Sequence, residues 1–143
     1  MAVTDTQLGF RYMGRMGNDD VPTVQNLYFK DTETLSKGDM INAESGEADL
    51  AATADTTLLG IALETKAGTD STTQIEVITD IDAIYAVYDA NARSVGDLLD
   101  LSGATGAQTV AAASNNEFIV VANSGADEWT LVRINPAKHA LGA

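Results

Sequence analysis

The sequence predicts an all-β fold, a small β-barrel-like domain behind an extended N-terminal arm, and three observations carry that prediction. From residue 36 onward, short apolar runs are separated by clusters of Gly, Asp, Asn and Ser at the spacing of a sandwich or barrel. Residues 75–79 and 129–134 alternate apolar and polar side chains, the period of a strand with one wet face. Finally, Ser36-Lys37-Gly38-Asp39-Met40-Ile41-Asn42 returns 58 positions later as Ser94-Val95-Gly96-Asp97-Leu98-Leu99-Asp100.

Along the chain, residues 1–26 read as the arm. Gly9, Gly14, Gly17, the polar run Gly17-Asn18-Asp19-Asp20 and Pro22 interrupt every candidate period, so no long strand or helix is expected there. Leu8, Phe10, Tyr12 and Met13 nevertheless supply apolar anchors, interleaved with Arg11 and Arg15. Anchors on an irregular segment point to docking, either on the chain's own body or on a neighbour.

Residues 27–143 read as a single β-rich domain. Expected strands are 27–30, 40–42, 58–64, 75–79, 83–88, 98–101, 118–122 and 129–134. Residues 83–88 and 118–122 are apolar throughout, which marks them as core or interface strands. A short helix is expected around residues 89–95, with Asp89 as its cap. In each copy of the repeated segment, Gly-Asp before an apolar pair is a turn that launches a strand. Glycine takes the backbone angle a side chain forbids, and the aspartate bonds back to nearby amides. Each copy leads through a small polar stretch to an apolar strand, then past Gly68 or Gly125 into an alternating one. Either recurring turn chemistry or a duplication explains the match; a duplication suggests two similar β halves closing one barrel.

Composition excludes several function classes. The chain has no cysteine, so disulfides, thiolate metal sites and a catalytic thiol are ruled out. Its net charge of −13, with only eight Lys and Arg, disfavours a nucleic-acid partner. Residues 31–132 hold 18 acidic side chains against Lys37, Lys66 and Arg93. Such a body repels its own copies in random encounters, so assembly needs a specific apolar or hydrogen-bonded contact. No apolar run is long enough to span a bilayer and no signal peptide is read at the N-terminus, so synthesis in the cytoplasm and no membrane partner are expected.

Catalytic templates are thinly represented. The single histidine, His139, reads as a surface residue of the tail rather than a base or ligand. Asp80-Ile81-Asp82 puts two carboxylates on one face of an extended segment, a spacing that suits a cation or an acid/base pair, but its place between two apolar runs reads better as a polar connection. Asp19-Asp20 reads the same way. The glycine pairs at Gly14/Gly17 and Gly103/Gly106 lack the spacing of phosphate loops and read as turns. Trp129 with Tyr85 and Tyr88 offers a sugar-stacking surface, although core packing is the better expectation. No enzyme activity, cofactor or metal is therefore expected.

Residues 33–64, in which Thr34-Leu35-Ser36-Lys37-Gly38-Asp39-Met40-Ile41 leads to Leu58-Leu59-Gly60-Ile61-Ala62, resemble the small capsid decoration (cement) proteins of tailed bacteriophages. The later Val95-Gly96-Asp97-Leu98-Leu99-Asp100-Leu101-Ser102-Gly103 is similar to a second mark of that family, and the resemblance covers about residues 33–134. It implies a β-tulip or barrel-like domain, assembled as a homotrimer, on the outer capsid surface of the virion. There it binds the major capsid protein of the expanded head and stabilises the coat lattice. The family's extended N-terminal segment makes such contacts, and Leu8, Phe10, Arg11, Tyr12, Met13 and Arg15 match it by position and composition. The alternatives are a trimeric β-barrel hydrolase with a carboxylate or metal site at Asp80 and Asp82, and a carbohydrate-binding module using Trp129.

Overall fold

The computed structural model describes residues 9–17, 21–112 and 114–142. Among them are thirteen strands: β1 (Phe10–Arg15), β2 (Val24–Tyr28), β3 (Glu33–Leu35), β4 (Met40–Glu44), β5 (Glu47–Leu50), β6 (Leu58–Ile61), β7 (Lys66–Gly68), β8 (Gln74–Ile78), β9 (Ala83–Asp89), β10 (Leu98–Ser102), β11 (Thr109–Ala112), β12 (Phe118–Ala122) and β13 (Glu128–Ile134). The only helical element among the described residues is the 3-10 turn Pro136–Lys138.

The Gly-Asp echo is a structural repeat. In both copies the glycine has φ 91°, in the left-handed region that an L side chain adopts at a cost. Ser36 N donates to Asp39 Oδ2 at 2.8 Å, and Ser94 N to Asp97 Oδ2 at 2.9 Å. Gly38 N donates to Ala62 O and Gly96 N to Val120 O, while Ala62 N donates to Asp39 O and Val120 N to Asp97 O, all at 2.9 Å. Lys37 N reaches Thr65 Oγ1 at 3.0 Å, and Val95 N reaches Asn123 Oδ1 at 2.7 Å. Strand register follows the same offset: Met40 faces Ile61 and Ile41 faces Gly60 in the first copy, Leu98 faces Ile119 and Leu99 faces Phe118 in the second. Even the short β3/β7 pair, in which Leu35 faces Lys66, returns as the single bridge between Arg93 and Ser124.

Each repeat curls around its own core. The first runs β2-β8-β6-β4-β5, where β6 and β8 are joined through the bridge Ala62–Val77 and the end of β2 meets β5 through Phe29–Ala48. The second runs β9-β13-β12-β10-β11, with β11 lying against β9 without pairing. The all-β expectation therefore holds, but the two halves do not close one barrel and no sheet is closed. Phe29, Leu35, Ile41, Ala48, Ile75 and Val77 fill the first core. Tyr85, Val87, Leu99, Phe118, Val120, Val132 and Ile134 fill the second, and Met40, Leu58, Ile61 and Ile78 from the outside of the first repeat pack into it.

Two expectations are corrected here. The N-terminal segment is not an irregular arm as far as it is described: Phe10–Arg15 forms β1, antiparallel to β9 at the edge of the six-stranded sheet. A bulge between Tyr12 and Gly14 absorbs the misfit that the glycine seemed to announce as a break. The helix expected at residues 89–95 is a turn. Asp89 does accept a backbone bond, from Asn91 N at 3.0 Å, but it also holds Arg93 Nε at 2.5 Å, and Arg93 is fixed by its bridge to Ser124.

Candidate functional site

The two faces of the six-stranded sheet follow from its register. Residues directly opposite one another across antiparallel strands point to the same side. One row, Tyr12–Tyr85–Val132–Val120, points inward, as does Phe10–Val87–Thr130. The rows between them point outward: Tyr88–Trp129, then Arg11–Ala86–Leu131–Ala122, then Ile84–Arg133–Ile119–Leu98. Eight of these ten outward side chains are apolar or aromatic, on a protein of net charge −13. Leu98 is 40% exposed, and Ile84, Ile119, Trp129 and Leu131 are half-buried. Arg11 lies over the Trp129 ring, its guanidinium carbon 4.4 Å from the centroid.

The first repeat presents the corresponding face in a covered form. Leu98 and Ile119 correspond to Met40 and Ile61, which are 0% and 4% exposed because the second repeat covers them. The same face of the same unit is buried once and left open once. A partly open apolar sheet face of this kind is a candidate contact surface. It also explains why residues 83–88 and 118–122 are apolar on both sides: one side faces the core, the other forms this wall.

The structure separates the residues singled out in the N-terminal segment. Phe10 is 2% exposed, its ring 5.2 Å from Phe118 and 6.3 Å from Tyr85, and Tyr12 packs edge-on to Tyr85 at 6.5 Å. Both pack against the chain's own body. Arg11 belongs to the outer wall, and Met13, at the bulge, is 57% exposed. Arg15 turns to the Asp80 carboxylate, Nε to Oδ2 at 2.6 Å. Leu8, Asp19 and Asp20 lie outside the described residues.

The candidate chemistry resolves into structural clamps. Asp80 is 6% exposed. Burial alone pushes its carboxyl up, but the amides of Asp82 and Thr23 and the Arg15 guanidinium outweigh this and hold it below the ordinary value. Asp82 lies 3.5 Å from Arg133 and 3.8 Å from Arg15. His139 is not a surface residue: it is 3% exposed, Nε2 donates to Leu59 O at 2.8 Å, and Nδ1 accepts from Leu141 N at 3.0 Å. With both nitrogens engaged, neither is left for a substrate or a metal. Burial lowers its pKa, so its contribution to stability is present above pH 6.5, the unfolded value, and is lost as pH falls below it. Tyr85 is in the core while Tyr88 and Trp129 are outside, so the three do not form one stacking surface; Tyr88 Oη donates to Asp127 at 2.7 Å.

Sequence reasoning missed a different acidic group. Carboxylate oxygens of Asp31, Glu33 and Asp49 lie within 4.8 Å of one another. Burial, then a hydrogen bond with Glu44 and the charges of Glu33, Glu44 and Asp31, push Asp49 up to about 7. A carboxyl whose pKa is raised on folding stabilises at low pH and loses that stability as pH rises from about 4 to about 7. We expect Asp49→Asn to melt higher than wild type at pH 8, by about 1 kcal/mol once solvent screening is allowed for, and to show no such gain at pH 4.5. Melting curves at the two pH values check this; an equal gain at both removes Asp49 as the titrating group.

No protein-family profile matches the chain, and no curated protein matches it in sequence. In fold it is similar to the crystal structure of the N base of head fiber gp8.5 in bacteriophage phi29. The TM-score is 0.51 at 15% identity, covering 81% of this chain and 98% of that one. At that identity the likeness is one of architecture.

Proposed function

We propose that this chain is a structural protein of a tailed-phage virion that sits on the outside of the head and stabilises the coat lattice, without catalysis. The observation that carries the proposal is the half-open apolar wall of the six-stranded sheet, a surface suited to protein rather than to a small substrate. The architecture it shares with a phage head-fiber base and the resemblance of its Gly-Asp segments to decoration proteins support the same reading. The enzyme alternative loses its basis in Asp80, Asp82 and His139, whose polar atoms serve the fold. A binder with affinity for the expanded lattice alone stabilises that lattice by its differential affinity.

The test is co-sedimentation of the purified protein with expanded and with precursor heads. Saturable binding to expanded heads only, with a rise in the temperature at which they rupture, is expected. Equal binding to both forms, or binding without a stability gain, contradicts the lattice-stabilising role. A deletion probing the N-terminus should stop at residue 8, because β1 is part of the core.

A further inference from the structure

We infer that the exposed turn Gly96-Asp97-Leu98 of the second repeat is a docking site for a loop of a different protein, one that offers a Ser or Thr hydroxyl and a backbone N–H to the Asp97 carboxylate. That the partner is a coat subunit rests on the structural-protein reading above; the site itself does not.

The template lies inside the molecule, because the counterpart turn of the first repeat, Gly38-Asp39-Met40, holds such a loop already. The connection between β10 and β11 sits on it: Thr105 Oγ1 donates to Asp39 Oδ2 at 2.5 Å, Gly106 N to Asp39 Oδ1 at 2.8 Å, and Gln108 Oε1 accepts from Met40 N at 2.6 Å. Phe10 N adds a bond to Gly38 O at 2.9 Å. Beneath them Met40 and Ile61 are buried among side chains of the second repeat. Asp39 and Met40 are both 0% exposed as a result. A carboxylate is buried without a cation only where donors of this kind satisfy it.

In the second repeat the same turn stands bare. Asp97 keeps the bond from Ser94 N that shapes the turn, but Gly96, Asp97 and Leu98 are all exposed. A side-chain carbon added at Gly38 would meet Phe10 O at 2.8 Å, whereas one at Gly96 would meet nothing within 4 Å among the described residues. Leu98 and Ile119 supply the apolar floor that Met40 and Ile61 supply in the first repeat. The turn is already formed, so a partner binds it without the cost of ordering it. A second copy of this chain offers no suitable loop. Its residues 105–108 are engaged on Asp39 and Met40, and the matching hairpin of its first repeat, Glu44-Ser45-Gly46-Glu47, flanks the hydroxyl and amide with two carboxylates that repel Asp97. A Ser-Gly or Thr-Gly loop without acidic neighbours fits where that hairpin does not.

The test titrates the isotope-labelled full chain with a disulfide-closed peptide carrying residues 102–110 and follows the backbone amide resonances. Shifts are expected at residues 94–98 with millimolar peptide. Affinity should fall at least about tenfold for Asp97→Asn, which keeps an oxygen for Ser94 N, and for a peptide carrying Thr105→Ala. If Asp97→Asn disturbs resonances away from the turn, Leu98→Asp, at a side chain already 40% exposed, makes the same test. No shift, shifts only elsewhere, or equal binding by the variants overturns the site. Shifts of this turn on concentrating the chain alone make a second copy the occupant and overturn the choice of partner. Co-sedimentation with expanded heads then separates the two readings. Head binding by wild type that falls at least about tenfold in both variants supports a coat loop as the partner. Peptide binding with head binding unchanged in the variants overturns the coat loop alone, and a wild type that binds the peptide but ignores heads overturns the head assignment alone.

Discussion

Gly60→Ala is expected to cost at least about 3 kcal/mol, the top of the usual range for overpacking a core, and to lower the melting temperature by about 10 °C or more. The added methyl carbon would lie 2.1 Å from Ile78 O and 2.5 Å from Tyr85 Oη. The first is backbone of the neighbouring strand β8, and the second belongs to a side chain that is itself 0% exposed, so neither can move away cheaply. Thermal or urea denaturation followed by circular dichroism checks this. A variant within about 0.5 kcal/mol of wild type would show that β6 and β8 are not so closely apposed. The corresponding position of the second repeat is Phe118, fully buried, so the two copies solve the same site in opposite ways: one by removing the side chain, one by filling the space.

Phe10→Ala is expected to cost about 3–5 kcal/mol, the usual loss for truncating a buried aromatic ring. Its ring contacts Phe118 and Tyr85, and its amide donates to Gly38 O at 2.9 Å, so the truncation loosens the join between β1 and both repeats. Arg11→Ala, one residue on, leaves the core untouched and should cost under about 1 kcal/mol. Equilibrium unfolding of the two variants side by side separates a strand of the fold from a detachable arm; equal small losses would restore the arm.

Most of the expected strands were legible because they carry alternation or an unbroken apolar run, as in Ile75–Glu76–Val77 or the 118–122 segment, whereas the strand expected at 27–30 lies at Val24–Tyr28 and the alternation at 129–131 faces the other way, with Thr130 buried. The repeat was legible because Gly-Asp is turn chemistry written in residue identity. What escaped was short or weakly apolar. The strand β5 has the sequence Glu-Ala-Asp-Leu and β11 Thr-Val-Ala-Ala, with no period to read, and both are held mainly by hairpin partners. The strand β1 escaped because Gly14 reads as a breaker in one dimension and as a bulge in three. Site residues were legible only in part: the arginines and aromatics stood out, but which of them share a face depends on register, which no local pattern states. His139 was misjudged for the same reason, since its burial comes from Leu59, 80 positions earlier.

The two chain ends exchange sides. The strand β1 precedes the first repeat in sequence yet pairs with β9 of the second, and the tail after the second repeat returns to the first, where His139 bridges Leu58 and Ala140 N donates to Leu58 O at 2.7 Å. Like a bootlace tied across two eyelets, this arrangement means neither half can come apart without pulling on the other. Cutting between them would leave each fragment missing a piece that travels with its sibling. The two repeats are therefore expected to unfold together as one cooperative body.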